Sequence, residues 1–299
     1  MQHHHALNAN QPLNQCVTYV AVETHITSLM ATHFMNHTHT QQDVEQAAAI
    51  LHDLWLNNNR CDGLPAYLQP TDRATGYAVQ AALSCLNKQD VCGWKIAATS
   101  ADGQRHIGVD QPLAGRLFAD RILPDGAVVS LANNLMQVAE IEFAFRFART
   151  LPPRAQAYPI DEVMAAISTV HPSIEIPDSR FSDFAHAGAP SLIADLACAH
   201  VFVLGDASRQ WATFDFINSE IPVMLNSVAI QSAYGRNVLG NPCVALTWLV
   251  NELSLHGMAC EAGHVVTTGT CRMPVAVQPG DSIRADFGAL GSVHCSFSN

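Results

Sequence analysis

The segment after residue 40 carries apolar side chains at helical spacing. A first helix would begin near residue 41, and its predicted buried residues are Val44, Ala48, Leu51 and Trp55. A second helix is predicted after Thr71, whose hydroxyl suits an N-cap. Its predicted buried residues are Ala74, Tyr77, Ala78, Ala81 and Cys85. The pattern therefore predicts a small helical region over residues 41–90.

After Asp90 the pattern changes to short apolar runs separated by Gly, Pro and Asp, which is typical of strands. The predicted strands are residues 91–98, 127–131, 138–147, 173–176, 199–204, 221–225, 265–268 and 282–287. Residues 108–118 are predicted to form a loop, because glycines lie near both ends of that segment. The second part of the chain is thus expected to be rich in strands.

Two helices are predicted among these strands. One would span about residues 161–170, and the other would begin at the N-cap Asn241, with Pro242 in its first turn, and end before Gly257. The predicted buried residues of the later helix are Val244, Trp248 and Leu249. These elements together predict an α+β fold, with the strand-rich domain over residues 91–299.

Composition and charge restrict the partners of this chain. Hydrophobic residues make up 48% of the 299 residues and charged residues 14%, which suits a packed globular core. The net charge is -11, with no basic cluster, so neither nucleic acid nor an anionic membrane surface is expected as a partner. The nine cysteines form no Cys-x-x-Cys pair, which favours reduced thiols and a cytoplasmic location.

The first forty residues differ from the rest because they hold seven histidines among Asn, Gln and Thr. We predict a disordered extension over residues 1–40, with metal binding by the histidines as an alternative. Met35 is an alternative start of the functional chain.

An acidic strand provides the first candidate chemistry. Residues 138–147 alternate with period two, so Glu140 and Glu142 share the face opposite to the phenylalanines. Two neighbouring carboxylates repel each other unless a positive charge lies near them. Either this face meets water, with Arg146 as a partial counter-charge, or the two carboxylates bind an oxygen-preferring cation.

Glu175 is a third candidate acid, because Ile174 and Ile176 flank it in a short apolar run. A lone glutamate in such a strand is commonly solvated, which leaves an ordinary surface position as the alternative. If Glu175 joined Glu140 and Glu142, three carboxylates would suit Mg²⁺ or Mn²⁺ better than Zn²⁺.

Lys95 lies in an apolar run, residues 93–98, and is one of only two lysines in the chain. Burial would disfavour its charged form and make it a candidate acid, base or anion-binding group. The alternative is a lysine whose ammonium group reaches the surface from a strand.

Several motifs occur in one order along residues 41–299. They are Gly93-Trp94-Lys95-Ile96, Gly108-Val109-Asp110-Gln111-Pro112, Glu140-Ile141-Glu142, Ser173-Ile174-Glu175-Ile176 with Ser179-Arg180, Leu239-Gly240-Asn241-Pro242, Thr268-Gly269-Thr270 and Pro279-Gly280-Asp281. Together they resemble the fumarylacetoacetate hydrolase superfamily. The most similar branch is that of the 2-keto-4-pentenoate (2-hydroxypenta-2,4-dienoate) hydratases and 4-oxalocrotonate decarboxylases.

The resemblance implies the family's mixed β-roll with a small helical N-terminal region. It also implies Mg²⁺ or Mn²⁺ held by Glu140, Glu142 and Glu175, with Glu142 and Lys95 as catalytic residues. Thr270 and Lys95 would bind the substrate, a small 2-oxo acid or its dienol. Relatives of this kind commonly assemble, so a homo-oligomer is expected.

Two positions depart from the family pattern. Hydratases of this branch usually have Asp where this chain has Leu113, and Asn where it has Leu196. The predicted reaction is addition of water to a 2-hydroxy-2,4-dienoate, giving a 4-hydroxy-2-oxo acid. Alternatives are decarboxylation or tautomerisation of a related 2-oxo acid, hydrolysis of a C–C bond in an acylpyruvate, or binding without turnover. The hydrolase would need a Glu-His pair, and neither His52 nor His106 lies in a recognisable pattern.

Overall fold

The computed structural model describes residues 39–299. The predictions of disorder and of metal binding concern the His-rich extension, residues 1–40, of which residues 1–38 lie outside the described residues. Residues Gln41–Asn299 form one compact unit. The predicted boundary at residue 90, between a helical region and a catalytic domain, stays a prediction.

Six α-helices are found in the described part of the chain. They are α1 (Gln41–Leu56), α2 (Arg73–Leu86), α3 (Ala101–His106), α4 (Ile160–Met164), α5 (Ala189–Ala194) and α6 (Pro242–Leu255). Asn241 caps α6 as predicted, and its side chain accepts a hydrogen bond from the Cys243 amide. Across residues 39–299, every helix is too short or too polar to cross a membrane.

Thirteen strands form two sheets within residues 39–299. They are β1 (Val91–Ala97), β2 (Leu113–Phe118), β3 (Ile122–Pro124), β4 (Val128–Ser130), β5 (Val138–Phe147), β6 (Ile167–Ile176), β7 (Val201–Leu204), β8 (Glu220–Leu225), β9 (Val228–Tyr234), β10 (Val265–Thr267), β11 (Val275–Ala276), β12 (Ser282–Asp286) and β13 (Ser292–Ser298). The larger sheet has the order β2-β1-β10-β5-β6-β7-β3, with β11 paired to β5. The smaller sheet has the order β4-β13-β12-β8-β9.

Strand pairing is mixed, which agrees with the predicted α+β fold. β1 and β10 run parallel, whereas β10, β5 and β6 follow one another as antiparallel neighbours. The long β5–β6 pair lies at the centre of the larger sheet, and its apolar face carries the buried aromatic residues Phe143, Phe145 and Phe147. Phe143 packs edge-on against Phe216 and Phe287, which extends the core towards the smaller sheet.

The N-terminal helices have their own apolar cluster. Val44, Leu51 and Trp55 of α1 are buried with Phe118 of β2 and Phe202 of β7. The apolar face predicted for α1 is therefore confirmed. This packing holds α1 against both β2 and β7, which lie near opposite ends of the strand order of the larger sheet.

The face predicted for α2 is wrong except at Tyr77, which is buried as predicted. Ala74, Ala78 and Cys85 are exposed, and the helix buries Gly76, Tyr77, Val79, Gln80 and Leu83. The helix is also capped by Asp72 and not by Thr71. The polar Gln80 can be buried because its amide donates to the backbone oxygens of Ala114 and Ile193. A pattern of apolar residues alone could not reveal these two backbone acceptors.

Three further predictions of local structure are wrong. Residues 113–118 form β2 where a loop was predicted, and β6 begins at Ile167 where the predicted helix would have continued to residue 170. In both segments the pairing with β1 or β5 overrides the local pattern. Val244 is exposed on α6, although Leu249 is buried as predicted.

Candidate active site

Three glutamates meet at the centre of the larger sheet. Glu140 and Glu142 lie two residues apart on β5, and Glu175 of β6 is directly opposite Glu140 in the register. Carboxylate oxygens of the three residues all lie within 4.8 Å of one another. The period of the strand places two of these side chains on one face, and the antiparallel pairing adds the third.

Burial decides between the alternatives that the sequence left open for these glutamates. Glu142 and Glu175 have no solvent exposure, and Glu140 is partly exposed at the wall of a cavity. A solvated sheet face and an ordinary surface position are both excluded. Arg146 is also not the counter-charge, because its guanidinium donates to the backbone oxygen of Gly263 at the other end of β5.

Lys95 supplies the positive charge beside the cluster. Its Nζ lies 3.0 Å from Oε1 of Glu175 and donates a hydrogen bond of 2.9 Å to the backbone oxygen of Ala197. The side chain is 3% exposed, so the alternative of a lysine that reaches the surface is wrong. Burial alone would lower the pKa of Lys95, but the Glu175 and Glu140 carboxylates outweigh it and raise that pKa. Lys95 is therefore charged, which differs from the expectation based on burial alone.

The carboxyl groups respond in the opposite direction to burial. Burial raises the pKa of Glu175 to about 7, although Lys95 offsets part of that effect. The pKa of Glu142 is raised well above its usual value by burial and then by the negative charges of Glu175 and Glu140. The pKa of Glu140 is raised by burial as well. One lysine therefore does not neutralise the cluster.

These raised pKa values predict a pH-dependent stability. Between about pH 4.5 and pH 7 the folded metal-free protein binds more protons than the unfolded chain, because the pKa of Glu175 is about 7 in the fold and about 4.5 in the unfolded chain. The free energy of unfolding should therefore fall as the pH rises through this window, by on the order of 3 kcal/mol. Thermal unfolding at pH 5 to 8, with and without Mg²⁺, measures this change. A Tm of the metal-free protein that stays constant or rises between pH 5 and pH 7 would contradict it.

The donor set fits a divalent cation that prefers oxygen. Within residues 39–299, Oε1 of Glu142 and Oε2 of Glu175 are buried without a hydrogen-bond partner, whereas Oε1 of Glu175 contacts the ammonium group of Lys95. Buried carboxylate oxygens normally have a partner, so the two unpartnered oxygens leave room for a ligand of positive charge. No sulfur or imidazole atom belongs to the cluster, which suits Mg²⁺, Mn²⁺ or Ca²⁺ better than zinc.

A left-handed backbone turn places the Ala197 carbonyl beside Lys95. Leu196, Ala197 and Cys198 have φ values of 57°, 50° and 63°, which are uncommon for residues with a side chain. Gly115 of β2 lies directly against this turn, and a Cβ atom at Gly115 would be 1.7 Å from the Leu196 oxygen. Glycine is therefore required at position 115 for the close approach of the two backbones.

Gly115→Ala is expected to destabilise the protein by about 3 kcal/mol or more, because the Leu196–Cys198 turn would have to move. The displacement should also withdraw the Ala197 carbonyl from Lys95 and lower activity in the remaining folded protein. Urea unfolding and turnover per folded molecule measure both effects. Gly63→Ala is the matched control, since nothing lies within 4 Å of a Cβ atom there. Equal stability of the two variants would disprove the steric role of Gly115.

A cavity of about 680 Å³ opens above Lys95 and Glu140. Its walls are largely apolar, and they include Leu113, Leu135, Val138, Phe184 and Leu192. The polar side chains that line it include Lys95 and Glu140 of the cluster. Such a site suits a small molecule with an anionic head and a short carbon chain.

The two departures from the family pattern lie in different surroundings. Leu113 is buried and lines the cavity, so an apolar side chain occupies the wall where the resemblance leads us to expect an aspartate. Leu196 is buried in the apolar cluster of the N-terminal helices and does not line the cavity. Only Leu113 can therefore affect a bound ligand directly.

Thr270 lines the cavity as predicted, but its hydroxyl donates a hydrogen bond of 2.7 Å to the backbone oxygen of Arg272. That hydrogen cannot also be donated to a substrate carboxylate, so the role predicted for Thr270 stays a prediction. The neighbouring Gly269 amide donates to Oε2 of Glu142 at 3.0 Å. This backbone donor was missed because sequence patterns do not show where amide groups point.

The two histidines considered for a Glu-His pair differ in position. His106 of α3 lies at the cavity, where its ring packs edge-on against Phe184. His52 belongs to α1 and does not line the cavity. In the described part of the chain no glutamate forms an ion pair with either histidine, so the geometry gives no support to the hydrolase alternative.

Curated relatives include 2-keto-4-pentenoate hydratases. This chain is 30% identical over 257 residues to 2-keto-4-pentenoate hydratase 1 of Dechloromonas aromatica, an alignment of 85% of this chain and 97% of the relative. It is 31% identical over 230 residues to 2-keto-4-pentenoate hydratase of Burkholderia vietnamiensis, with 76% of this chain and 87% of the relative aligned.

A solved structure of similar fold is 4-oxalocrotonate decarboxylase from Pseudomonas putida G7, complexed with magnesium and adipate. It matches with a TM-score of 0.79 and 27% identity over 88% of this chain and 100% of that chain. The model of the fumarylacetoacetate (FAA) hydrolase C-terminal domain matches residues 107–298. With its mixed sheets, its ordered motifs and its cluster of three glutamates, this chain belongs to the fumarylacetoacetate hydrolase family.

Proposed function

We propose that the protein is a divalent-metal-dependent hydratase that adds water to a 2-hydroxy-2,4-dienoate and yields a 4-hydroxy-2-oxo acid. The observation that carries the proposal is the cluster of Glu140, Glu142 and Glu175 beside Lys95, with Lys95 and Glu140 lining a largely apolar cavity. The hydratase names of the curated relatives support the same reaction. The proposed substrate is a small 2-oxo acid in its dienol form.

Glu140, Glu142 and Glu175 would hold Mg²⁺ or Mn²⁺. The decarboxylase of similar fold is described with magnesium in one structure and with calcium in another, which favours a hard cation at the corresponding position. A cation held there would polarise the C2 oxygen of the 2-oxo acid and stabilise negative charge on it. The three carboxylates would hold the cation at the wall of the cavity.

Lys95 would act at the same end of the cavity. Its ammonium group is oriented by the Ala197 carbonyl and by Glu175, so its remaining hydrogen can be directed towards a ligand. Lys95 would hold a proton at Nζ close to the substrate carbon that gains or loses one. The apolar walls, including Leu113 and Val138, would limit the water that reaches this carbon.

The test is the loss of dienol absorbance when 2-hydroxypenta-2,4-dienoate is mixed with the protein and Mg²⁺, with product analysis for 4-hydroxy-2-oxopentanoate. We expect turnover with Mg²⁺ and its loss after chelation, with recovery when Mg²⁺ is restored. Ketonisation of the dienol without formation of the hydroxylated product would instead indicate a tautomerase. Tight ligand binding without any reaction would indicate a binding protein.

Decarboxylation is the second candidate, because Leu113 is apolar where the resemblance to hydratases leads us to expect a carboxylate. Loss of CO₂ needs no activated water, so an apolar wall at this point does not hinder it. The relatives also include a 4-oxalocrotonate decarboxylase that is 30% identical over 69% of this chain. The assembly of a homo-oligomer and a cytoplasmic location stay predictions.

Leu113→Asp is expected to increase the rate of water addition relative to the rate of CO₂ loss, by about tenfold or more, because it returns a proton-transfer group to the cavity wall. Leu113→Asn is the matched control, since it has the same shape without a carboxylate. Both reactions are followed by product analysis with a dienol and with 4-oxalocrotonate. An identical product ratio in the two variants would exclude a role for the carboxylate at this position.

A further inference from the structure

Asp195 is a buried carboxylate that the proposed reaction does not use. It follows the last residue of α5 and directly precedes the Leu196–Cys198 turn, and it is only 1% exposed. It belongs neither to the glutamate cluster nor to the residues that line the cavity. Burial raises the pKa of Asp195 to about 6, although the Arg180 guanidinium offsets part of that effect. A carboxylate at this depth is costly unless several donors hold it.

The donors come from the segment that follows β6. Oδ2 of Asp195 accepts a hydrogen bond of 2.6 Å from the Ser179 hydroxyl and one of 2.7 Å from the Arg180 amide. A backbone hydrogen bond joins the same two segments, because the Asp178 amide donates to the Cys198 oxygen at 3.0 Å. Hydrogen bonds to a charged acceptor are stronger than those between neutral groups, so the Asp195 carboxylate provides the stronger link.

The two linked segments carry both acceptors that hold the Lys95 ammonium group. Glu175, whose Oε1 is 3.0 Å from Nζ, lies three residues before Asp178. Ala197, whose oxygen accepts from Nζ at 2.9 Å, lies two residues after Asp195. The position of one acceptor relative to the other therefore depends on how firmly the two segments are joined.

The turn that carries the Ala197 carbonyl needs such a restraint. All three residues of the Leu196–Cys198 turn have positive φ values, which persist in residues with a side chain only where the surrounding structure holds them. Within the turn, the Cys198 amide donates to the backbone oxygen of Asp195 at 3.0 Å. Asp195 thus holds the turn through its backbone and joins it to the end of β6 through its side chain.

From these contacts we propose that Asp195 is a positioning residue, which fixes the Ala197 carbonyl so that the Lys95 ammonium group is directed into the cavity. The inference rests on the proposed function in so far as that function gives Lys95 its role in the reaction. An ammonium group has three N–H bonds, and two fixed acceptors leave one for a ligand. If the Ala197 carbonyl moved, this remaining N–H bond would lose its fixed direction.

Asp195→Asn keeps the shape of the side chain and replaces the charged acceptor by a neutral amide. We expect kcat per folded molecule to fall about tenfold, because even a small displacement of a reacting group is costly, and KM and Mg²⁺ affinity to stay within about twofold. Asp281→Asn is the matched control. Asp281 is also buried and accepts hydrogen bonds from the Asn226 side chain and the Gln278 amide, but it adjoins β12 and does not line the cavity. This control should lose stability and keep its kcat.

A signal from the lysine side chains tests the inference without turnover. Since the chain has only two lysines, labelling lysine with ¹⁵N gives one Nζ signal from Lys95 and one from the exposed Lys88. Buried, hydrogen-bonded protons exchange slowly with water. In the Mg²⁺-loaded Asp195→Asn protein we expect the Lys95 ammonium protons to exchange at least about tenfold faster than in the unaltered protein. Asp281→Asn should leave their exchange unchanged.

Ser179→Ala is a milder variant that removes one of the two donors to Asp195, and it decides the question if Asp195→Asn does not fold. We expect about threefold lower kcat and faster exchange at Lys95. A purely structural role of Asp195 would reduce stability and leave kcat per folded molecule and Lys95 exchange unchanged in both variants, which would overturn the inference. Absence of turnover in the unaltered protein would instead overturn the proposed function, whereas the Lys95 signal would still decide whether Asp195 orients the ammonium group.

Discussion

Glu142→Gln is expected to weaken Mg²⁺ binding by at least about a hundredfold and to abolish turnover. Gln has the same shape as Glu, and its amide oxygen can still accept the hydrogen bond from Gly269. The substitution removes one of three negative charges that share a buried site, so the metal-free variant should be more stable than the unaltered protein. The predicted effects on metal affinity and on metal-free stability therefore have opposite signs.

Calorimetric titration with Mg²⁺ and thermal unfolding with and without the metal measure the two effects. Glu220→Gln is the matched control, because Glu220 is an exposed carboxylate of β8, away from the cluster. The control should leave both the affinity and the increase in Tm with Mg²⁺ unchanged. If Glu142→Gln bound Mg²⁺ as tightly as the unaltered protein, Glu142 would not be a ligand.

Lys95→Met is expected to lower turnover by about 10²–10⁴-fold, which is the range for loss of a positioned proton donor or acceptor. It should also destabilise the metal-free protein at neutral pH by roughly 3–5 kcal/mol, because Glu175 would lose its buried counter-charge. Mg²⁺ binding should persist or become tighter, since a cation that repels the metal is removed. Lys95→Met would thus lower turnover without loss of Mg²⁺ affinity, whereas Glu142→Gln would lower both. This difference distinguishes the role of Lys95 from that of the three glutamates.

Lys88→Met is the matched control, because Lys88 is the other lysine of the chain and is exposed. Turnover, urea unfolding and Mg²⁺ titration of both variants complete the comparison. A Lys95→Met protein that turns over substrate at the normal rate would remove Lys95 from the reaction. Restoration of its stability by Mg²⁺ would support the view that one positive charge substitutes for another at the cluster.

Part of the candidate site follows from local rules. The alternation of residues 138–147 places Glu140 and Glu142 on one face of β5, because side chains of a strand alternate whatever the strand pairs with. The motif order from Gly93 to Asp281 was sufficient to indicate the family before any geometry was known. The helix after Asn241 was also predictable, since capping depends on neighbours in the chain.

The sequence by itself thus determined the residue types of the site and the face of one strand. Tertiary structure alone decided that Glu175 lies opposite Glu140, because register is a property of the β5–β6 pair. It also decided the charge of Lys95, whose pKa is lowered by burial but raised more strongly by Glu175, Glu140 and the other neighbouring negative charges together. The Ala197 carbonyl and the Gly269 amide are backbone groups, and only the path of the folded chain directs them. Electrostatic energies depend on distance in space, and for these groups that distance is unrelated to their separation along the chain.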